Sequence, residues 1–224
     1  LNLKKWLLTR WGINRLPDVH IVDRYLATAS TLGVSNDQNG LDYHLPPDGF
    51  AGAVQTMAAT PYLAFVIGAA HPTKCLTEVQ KIAFCQAYSG RIVLLGGPQE
   101  QTEGERIATA AGEHVHNACG SFNLHESAYL VQQASAVLSH DTGLMHIAAA
   151  FQKPIVSIWG NTVTDFGMYP YLPAGGIDLR VEVEGLSCRP CSKIGYPACP
   201  KGHFNCIHQI ATADILAKVE TVLA

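Results

Sequence analysis

Three groups of polar residues stand where the chain leaves an apolar run, and together they suit a phosphorylated ligand. The densest is Ser139-His140-Asp141-Thr142-Gly143-Leu144-Met145-His146. Asp141 reads as the N-cap of a helix whose first residues are Thr142, Gly143 and Leu144, where backbone amides lack intrahelical partners. Such a helix start attracts an anion, and Gly143 allows close approach to the backbone. His146 follows Thr142 by four residues, so both share one helix face. Lys74, beyond Gly68-Ala69-Ala70, can neutralise a phosphate. Glu100, beyond Gly96-Gly97-Pro98-Gln99, can accept hydrogen bonds from ribose hydroxyls, as an acidic residue does in other dinucleotide folds. Plainer readings stand beside these: a capped helix, a solvated lysine, a carboxylate that favours the helix macrodipole. Neither glycine turn matches G-x-G-x-x-G or a Walker loop, which argues against NAD and P-loop ATP sites.

The elements that must hold these groups alternate regularly from about residue 50. Tyr62–Ile67, Arg91–Leu95, a short run at His114–Asn117, Ala134–Leu138 and Pro154–Trp159 read as buried strands. Helical patterns lie between them: Thr77–Tyr88, Gln101–Ala111, a segment capped by Asn123 or Ser121, and the segment after Asp141, with Leu144, Ile147, Ala148 and Phe151 as its core face. Thr212–Leu223 reads as a terminal helix. The order β-α-β-α-β-α-β-α-β implies an α/β fold, a Rossmann-like doubly wound parallel sheet whose ligand lies beyond the carboxyl ends of the strands.

Residues 1–48 read differently. A basic amphipathic helix opens the chain, and a second runs from about Val19 to Leu32, with Ile21, Val22, Tyr25, Leu26 and Ala29 at core spacing and Gly33 as its C-cap. Leu41–Leu45 alternates like a short strand before Pro46-Pro47-Asp48-Gly49. That is too little for an independent domain, so residues 1–48 are expected to be the remnant of a preceding domain plus a linker, and residues 49–224 one Rossmann-like ligand-binding domain with a Cys-rich segment at 188–206. The chain starts at Leu1 rather than Met, and the expectation is that its natural N-terminus lies further upstream.

Composition narrows the function classes. The net charge of −3 and the lack of a long basic run argue against nucleic acid as a partner. No apolar run approaches the roughly 20 residues that span a bilayer, and no secretory pattern is present. Cytoplasmic placement is expected, with reduced thiols. Seven cysteines are an odd number, and four cluster late as Cys188, Cys191, Cys199 and Cys206. Their C-x2-C pair has the reach of a Zn site, but the second pair is spaced by six residues, so no metal is the leading expectation and structural Zn the alternative.

Taken together, these residues resemble the C-terminal domain of family 9 glycosyltransferases, the lipopolysaccharide heptosyltransferases of GT-B fold. The likeness rests on Ser139 to Ala150, similar to the family's D-T-G-x-x-H-x-A-A block. Ile67-Gly68-Ala69-Ala70 with Lys74, the Gly96–Glu100 turn and Pro154–Thr162 support it. The resemblance implies an ADP-activated heptose as donor, a lipopolysaccharide-core or other glycan acceptor, and no required cofactor. By position, Lys74 would contact the diphosphate or sugar and Glu100 the ribose; the backbone near Phe122 would meet the adenine. Asp141 would contact the sugar, and Thr142, Gly143 and Leu144 the diphosphate, with His146 alongside. Ala69 and Ala70 replace hydroxyl residues of some members, and Asn161 stands where a Pro is common; these departures bear on the sugar more than on the diphosphate. The inverting reaction needs a base, which the resemblance places upstream of this chain, so the chain alone is expected to bind donor weakly and transfer nothing. A lipid-linked acceptor would bring the enzyme to the inner membrane surface. The alternatives are a UDP-sugar epimerase or hydrolase of GT-B fold and a non-catalytic nucleotide-sugar-binding or interaction module.

Overall fold

The computed structural model describes residues 2–224. Among these residues, six parallel strands form one sheet in the order β3-β2-β1-β4-β5-β6. The strands are β1 (Leu63–Val66), β2 (Ile92–Leu95), β3 (Val115–Asn117), β4 (Ala136–His140), β5 (Ile155–Trp159) and β6 (Asp178–Glu182). The chain runs outward from β1 to β3, then crosses back to lay β4 on the other side of β1. That reversal opens a crevice at the carboxyl ends of β1 and β4, the position where doubly wound sheets take their ligands.

The central strands are buried at every position, which explains their unbroken Ile, Val and Leu runs. Successive side chains enter opposite layers. Phe65, Leu94 and Leu138 point into a core shared with Phe84 of α4 (Glu78–Ala87), Ile107 of α5 (Gln101–Ala111) and Ile215 of α9 (Thr212–Leu223). Val66, Leu95 and Val137 point into the other, with Val54 of α3 (Ala53–Met57), Leu130 of α6 (Leu124–Gln133) and Met145 of α7 (Gly143–Ala150). Thr77 and Asn123 close the starts of α4 and α6 with reciprocal capping boxes through Gln80 and Glu126. Asn123, not Ser121, is the cap of α6. In α7, Ala148 is fully buried, whereas Leu144, Ile147 and Phe151 pack only partly against the core.

Several expectations need correction. Leu41–Leu45 forms no strand, because its alternation faces helices instead of a sheet edge. Tyr43 turns in against Phe151 and His125, its hydroxyl 3.2 Å from His125 Nδ1, while Asp42 and His44 face solvent. The second helix is shorter than its pattern: α2 covers Ile21–Thr28, breaks at Ala29, and continues as a 3-10 turn at Ser30–Leu32 closed by left-handed Gly33. No residue of α2 is buried, and Tyr25 is 69% exposed, so its core face has no core to enter here. The opening helix α1 (Asn2–Trp11) seats Leu8 against Val163 and Phe166 and leaves Leu3, Trp6 and Trp11 exposed. The edge strand β6 was not foreseen, because Asp178, Arg180 and Glu182 give it a polar face. No helix among the described residues is long and apolar enough to cross a membrane.

Candidate functional site

The loops after β1, β2, β3 and β4 enclose a cavity of about 730 Å³ at the carboxyl end of the sheet. Glu100, Phe122, Thr142, Gly143 and Leu144 line it, joined by the glycine turns at 68 and 96–97. Asn123 and Ser127 of the α6 turn also face it, and neither stood among the expected site residues. Lys74, Asp141 and His146 lie beside this space at its Thr142 end.

Two glycines shape the Glu100 end. A Cβ on Gly68 would come within 2.6 Å of the Glu100 Cδ, and one on Gly96 within 2.8 Å of its Cβ. Glu100 therefore lies in a slot that exists only because both positions lack side chains. One carboxylate oxygen accepts the Gly97 amide at 2.8 Å, which fixes the side chain toward the cavity loops. The arrangement leaves the carboxylate partly exposed and able to accept from hydroxyls.

The other end is an ion-pair network. The loop after β1 makes a 3-10 turn at Pro72–Lys74, and Lys74 Nζ lies 2.7 Å from Asp141 Oδ2. The same oxygen accepts the Thr162 hydroxyl at 2.9 Å. Both charged side chains are nearly buried, at 12% and 10% exposure, so each depends on the other. These partners explain why Asp141 is not the helix cap. Thr142 takes that place without a side-chain bond, and the helix begins at Gly143, one residue later than expected. Asp141 spends its carboxylate on Lys74 and Thr162 instead. His146, one turn into α7, is half-buried; desolvation pulls its pKa down, the Asp141 carboxylate opposes that, and Lys74 adds to it.

Residues 186–204 buttress this end. Arg189 donates to the carbonyls of Gly160 at 2.7 Å and Thr162 at 2.9 Å, and pairs with Glu182 at 2.5 Å. Tyr196 accepts the Thr73 hydroxyl through its carbonyl and donates its amide to the Thr73 oxygen. Asn161 binds Ser192 at 3.0 Å and donates its amide to the Thr73 carbonyl. Neither Thr162 nor Arg189 stands among the expected site residues, because the partner of a buried hydroxyl or guanidinium leaves no local sequence signature. Cys188, Cys191, Cys199 and Cys206 are free thiols, and among the described residues no three His, Cys, Asp or Glu side chains are grouped to hold a metal ion.

The model of glycosyltransferase family 9 (heptosyltransferase) matches residues 4–193. The chain belongs to glycosyltransferase family 9. Among curated members it is similar to lipooligosaccharide heptosyltransferase 2 of Haemophilus influenzae, 28% identical over 151 residues, which cover 66% of this chain and 41% of that protein. The Haemophilus ducreyi counterpart is 36% identical over 101 residues, covering 42% of this chain and 28% of its own length. The chain thus spans less than half the length of these family 9 relatives. A solved family 9 glycosyltransferase from Veillonella parvula superposes with a TM-score of 0.72 at 20% identity, covering 97% of this chain and 65% of that one. An E. coli heptosyltransferase solved with ADP-2-deoxy-2-fluoro heptose gives 0.53 at 25% identity, covering 77% and 52%. These likenesses establish the Rossmann-like fold.

Proposed function

We propose that this chain is the donor-binding half of a heptosyltransferase, taking an ADP-heptose-like donor for transfer to a lipopolysaccharide-core or related glycan. One observation carries the reading: Glu100 and the start of α7 line a single cavity at the β1/β4 switch point, and the Lys74–Asp141 pair stands beside it, next to Thr142. A nucleoside diphosphate fits that distribution of charge. Glu100 accepts from the ribose hydroxyls, and the apolar wall at Phe122 takes the adenine. The diphosphate lies at Thr142, Gly143 and Leu144, where helix-start amides face it, with Lys74 and His146 beside it. Asp141 turns toward the sugar.

Transfer breaks the bond between the sugar's anomeric carbon and the diphosphate oxygen, and negative charge grows on the departing ADP. Lys74 and the amides of α7 are fixed where that charge grows, which lowers the barrier without reorganisation. The base that takes the acceptor proton is read as lying outside these 224 residues, and residues 1–48 as the end of the acceptor domain. No cofactor is needed, nucleic acid is not a partner, and the setting is the cytoplasm, with the acceptor drawing the enzyme to the inner membrane surface.

Calorimetric titration of the chain with ADP, UDP and GDP tests this. A clear preference for ADP is expected, with about hundredfold weaker binding in Lys74→Met. UDP preference would replace the reading with a UDP-sugar enzyme, and no binding to any nucleotide would sink it. Robust sugar transfer by this chain alone would overturn the upstream base.

A further inference from the structure

His140 is a fully buried ionisable group beside the site, and the chemistry above gives it no task. It ends β4, is 0% exposed, and precedes Asp141 directly. Its Nδ1 lies 3.0 Å from the Val66 carbonyl, and its Nε2 lies 3.0 Å from the Leu76 amide. A carbonyl only accepts and an amide N–H only donates, so the ring carries its proton on Nδ1. Burial, with the charge of Lys81 assisting, pushes its pKa down to about 3, against the opposing pull of the Val66 carbonyl. The ring is therefore neutral at any physiological pH, and it performs no proton transfer.

Its two partners bracket the segment that forms the wall and the lysine of the donor site. Val66 closes β1, and Leu76 follows the turn that carries Lys74. Between them run Gly68, Ala69 and Ala70, which line the cavity. Leu76 is 2% exposed, so without the imidazole its amide would be a buried donor with no partner. Adjacent residues thus hold one loop at two levels: His140 binds its backbone, and Asp141 binds its lysine.

We infer that His140 is a positioning residue of the donor site, whose buried imidazole clamps both ends of residues 67–75 and so delivers Lys74 to Asp141 and the diphosphate. The inference rests on the donor-site reading for its consequence, although the clamp itself is visible without nucleotide. A residue that only filled core volume would tolerate any apolar side chain of similar size and would not interact with Lys74.

The test uses the whole chain and two measurements. Without nucleotide, acetylation of Lys74 is followed by mass spectrometry, together with hydrogen exchange at Leu76. With nucleotide, ADP affinity is measured for His140→Leu, Lys74→Met and the double variant. His140→Leu should raise Lys74 acetylation about fivefold and weaken ADP about tenfold, the scale of a lost buried hydrogen bond. The double variant should bind no more weakly than Lys74→Met, because residues acting through one group are not additive. His140→Gln, which returns an acceptor to Leu76, should recover most of both losses. If the leucine variant does not fold, His140→Asn takes its place. Wild-type acetylation in a folded His140→Leu chain, or losses that simply add in the double variant, would overturn the inference. Absent ADP binding by the wild-type chain would sink the donor reading alone, and the acetylation result would still decide the clamp.

Discussion

The two ends of the cavity are built by opposite means. At the Glu100 end, shape does the positioning: Gly68 and Gly96 leave a slot, and one backbone amide holds the carboxylate in it. At the Lys74 end, polar partners do it: a nearly buried ion pair, a threonine hydroxyl, and behind them Arg189 and Tyr196 tying three segments together. The first end is damaged by adding a methyl group at Gly68 or Gly96; the second by removing a polar partner. Inorganic pyrophosphate separates them as a probe, because it reports on the Lys74 end while ADP reports on both.

Lys74→Met should produce the largest effect. It removes the cation from the phosphates and strands the Asp141 carboxylate in a buried site. Calorimetry should show about a hundredfold loss for ADP and a parallel loss for pyrophosphate, with a lower melting temperature. Equal affinity for either probe would place the diphosphate elsewhere. Gly68→Ala comes next, since its methyl group would stand 2.6 Å from Glu100 Cδ and push the carboxylate out of its slot. About tenfold weaker ADP with unchanged pyrophosphate is the expected pair of results; a drop for pyrophosphate too would mean that the ends are not independent. Thr162→Val removes one hydrogen bond from Asp141, worth about 1 kcal/mol, and should weaken pyrophosphate about fivefold.

The smallest effect is a pH dependence of stability. His140 titrates lower when folded than when unfolded, so the unfolded chain binds the proton more readily. Stability is then complete above the ordinary histidine range and falls as pH drops below about 6.5 toward 3. The loss at pH 6 is on the order of 1 kcal/mol, and it grows with further acidification. His20 and His146, both pulled down by desolvation, act in the same direction. Denaturant unfolding at pH 7.5 and 6 measures this, and His140→Gln should flatten the slope. An unchanged slope would mean that His140 titrates alike in both states.

Much of the fold was legible because buried parallel strands write continuous apolar runs and their helices carry local caps. Thr77 with Gln80 and Asn123 with Glu126 mark helix starts by chemistry contained in four residues. Edge strand β6 is hidden in the sequence because Asp178, Arg180 and Glu182 interrupt its apolar run, and Leu41–Leu45 imitates a strand because alternation records one buried side, whatever buries it. The expected site residues do gather around the switch point. The partners that hold them were not legible, since Asp141 and Thr162, or Thr73 and Tyr196, are far apart in the chain.

What the sequence determined by itself was the alternation of strands and helices, and with it the turns at which Lys74, Glu100 and Asp141 stand. Those follow from hydrophobic period and capping, which act over a few residues. Only the tertiary structure decided that Asp141 serves Lys74 and Thr162 rather than capping α7, that Glu100 rests on two glycines, and that His140 joins Val66 to Leu76. Each of these is a choice among competing partners for one polar group. Burial makes that choice, because a polar group withdrawn from water must bind whatever the fold brings within reach.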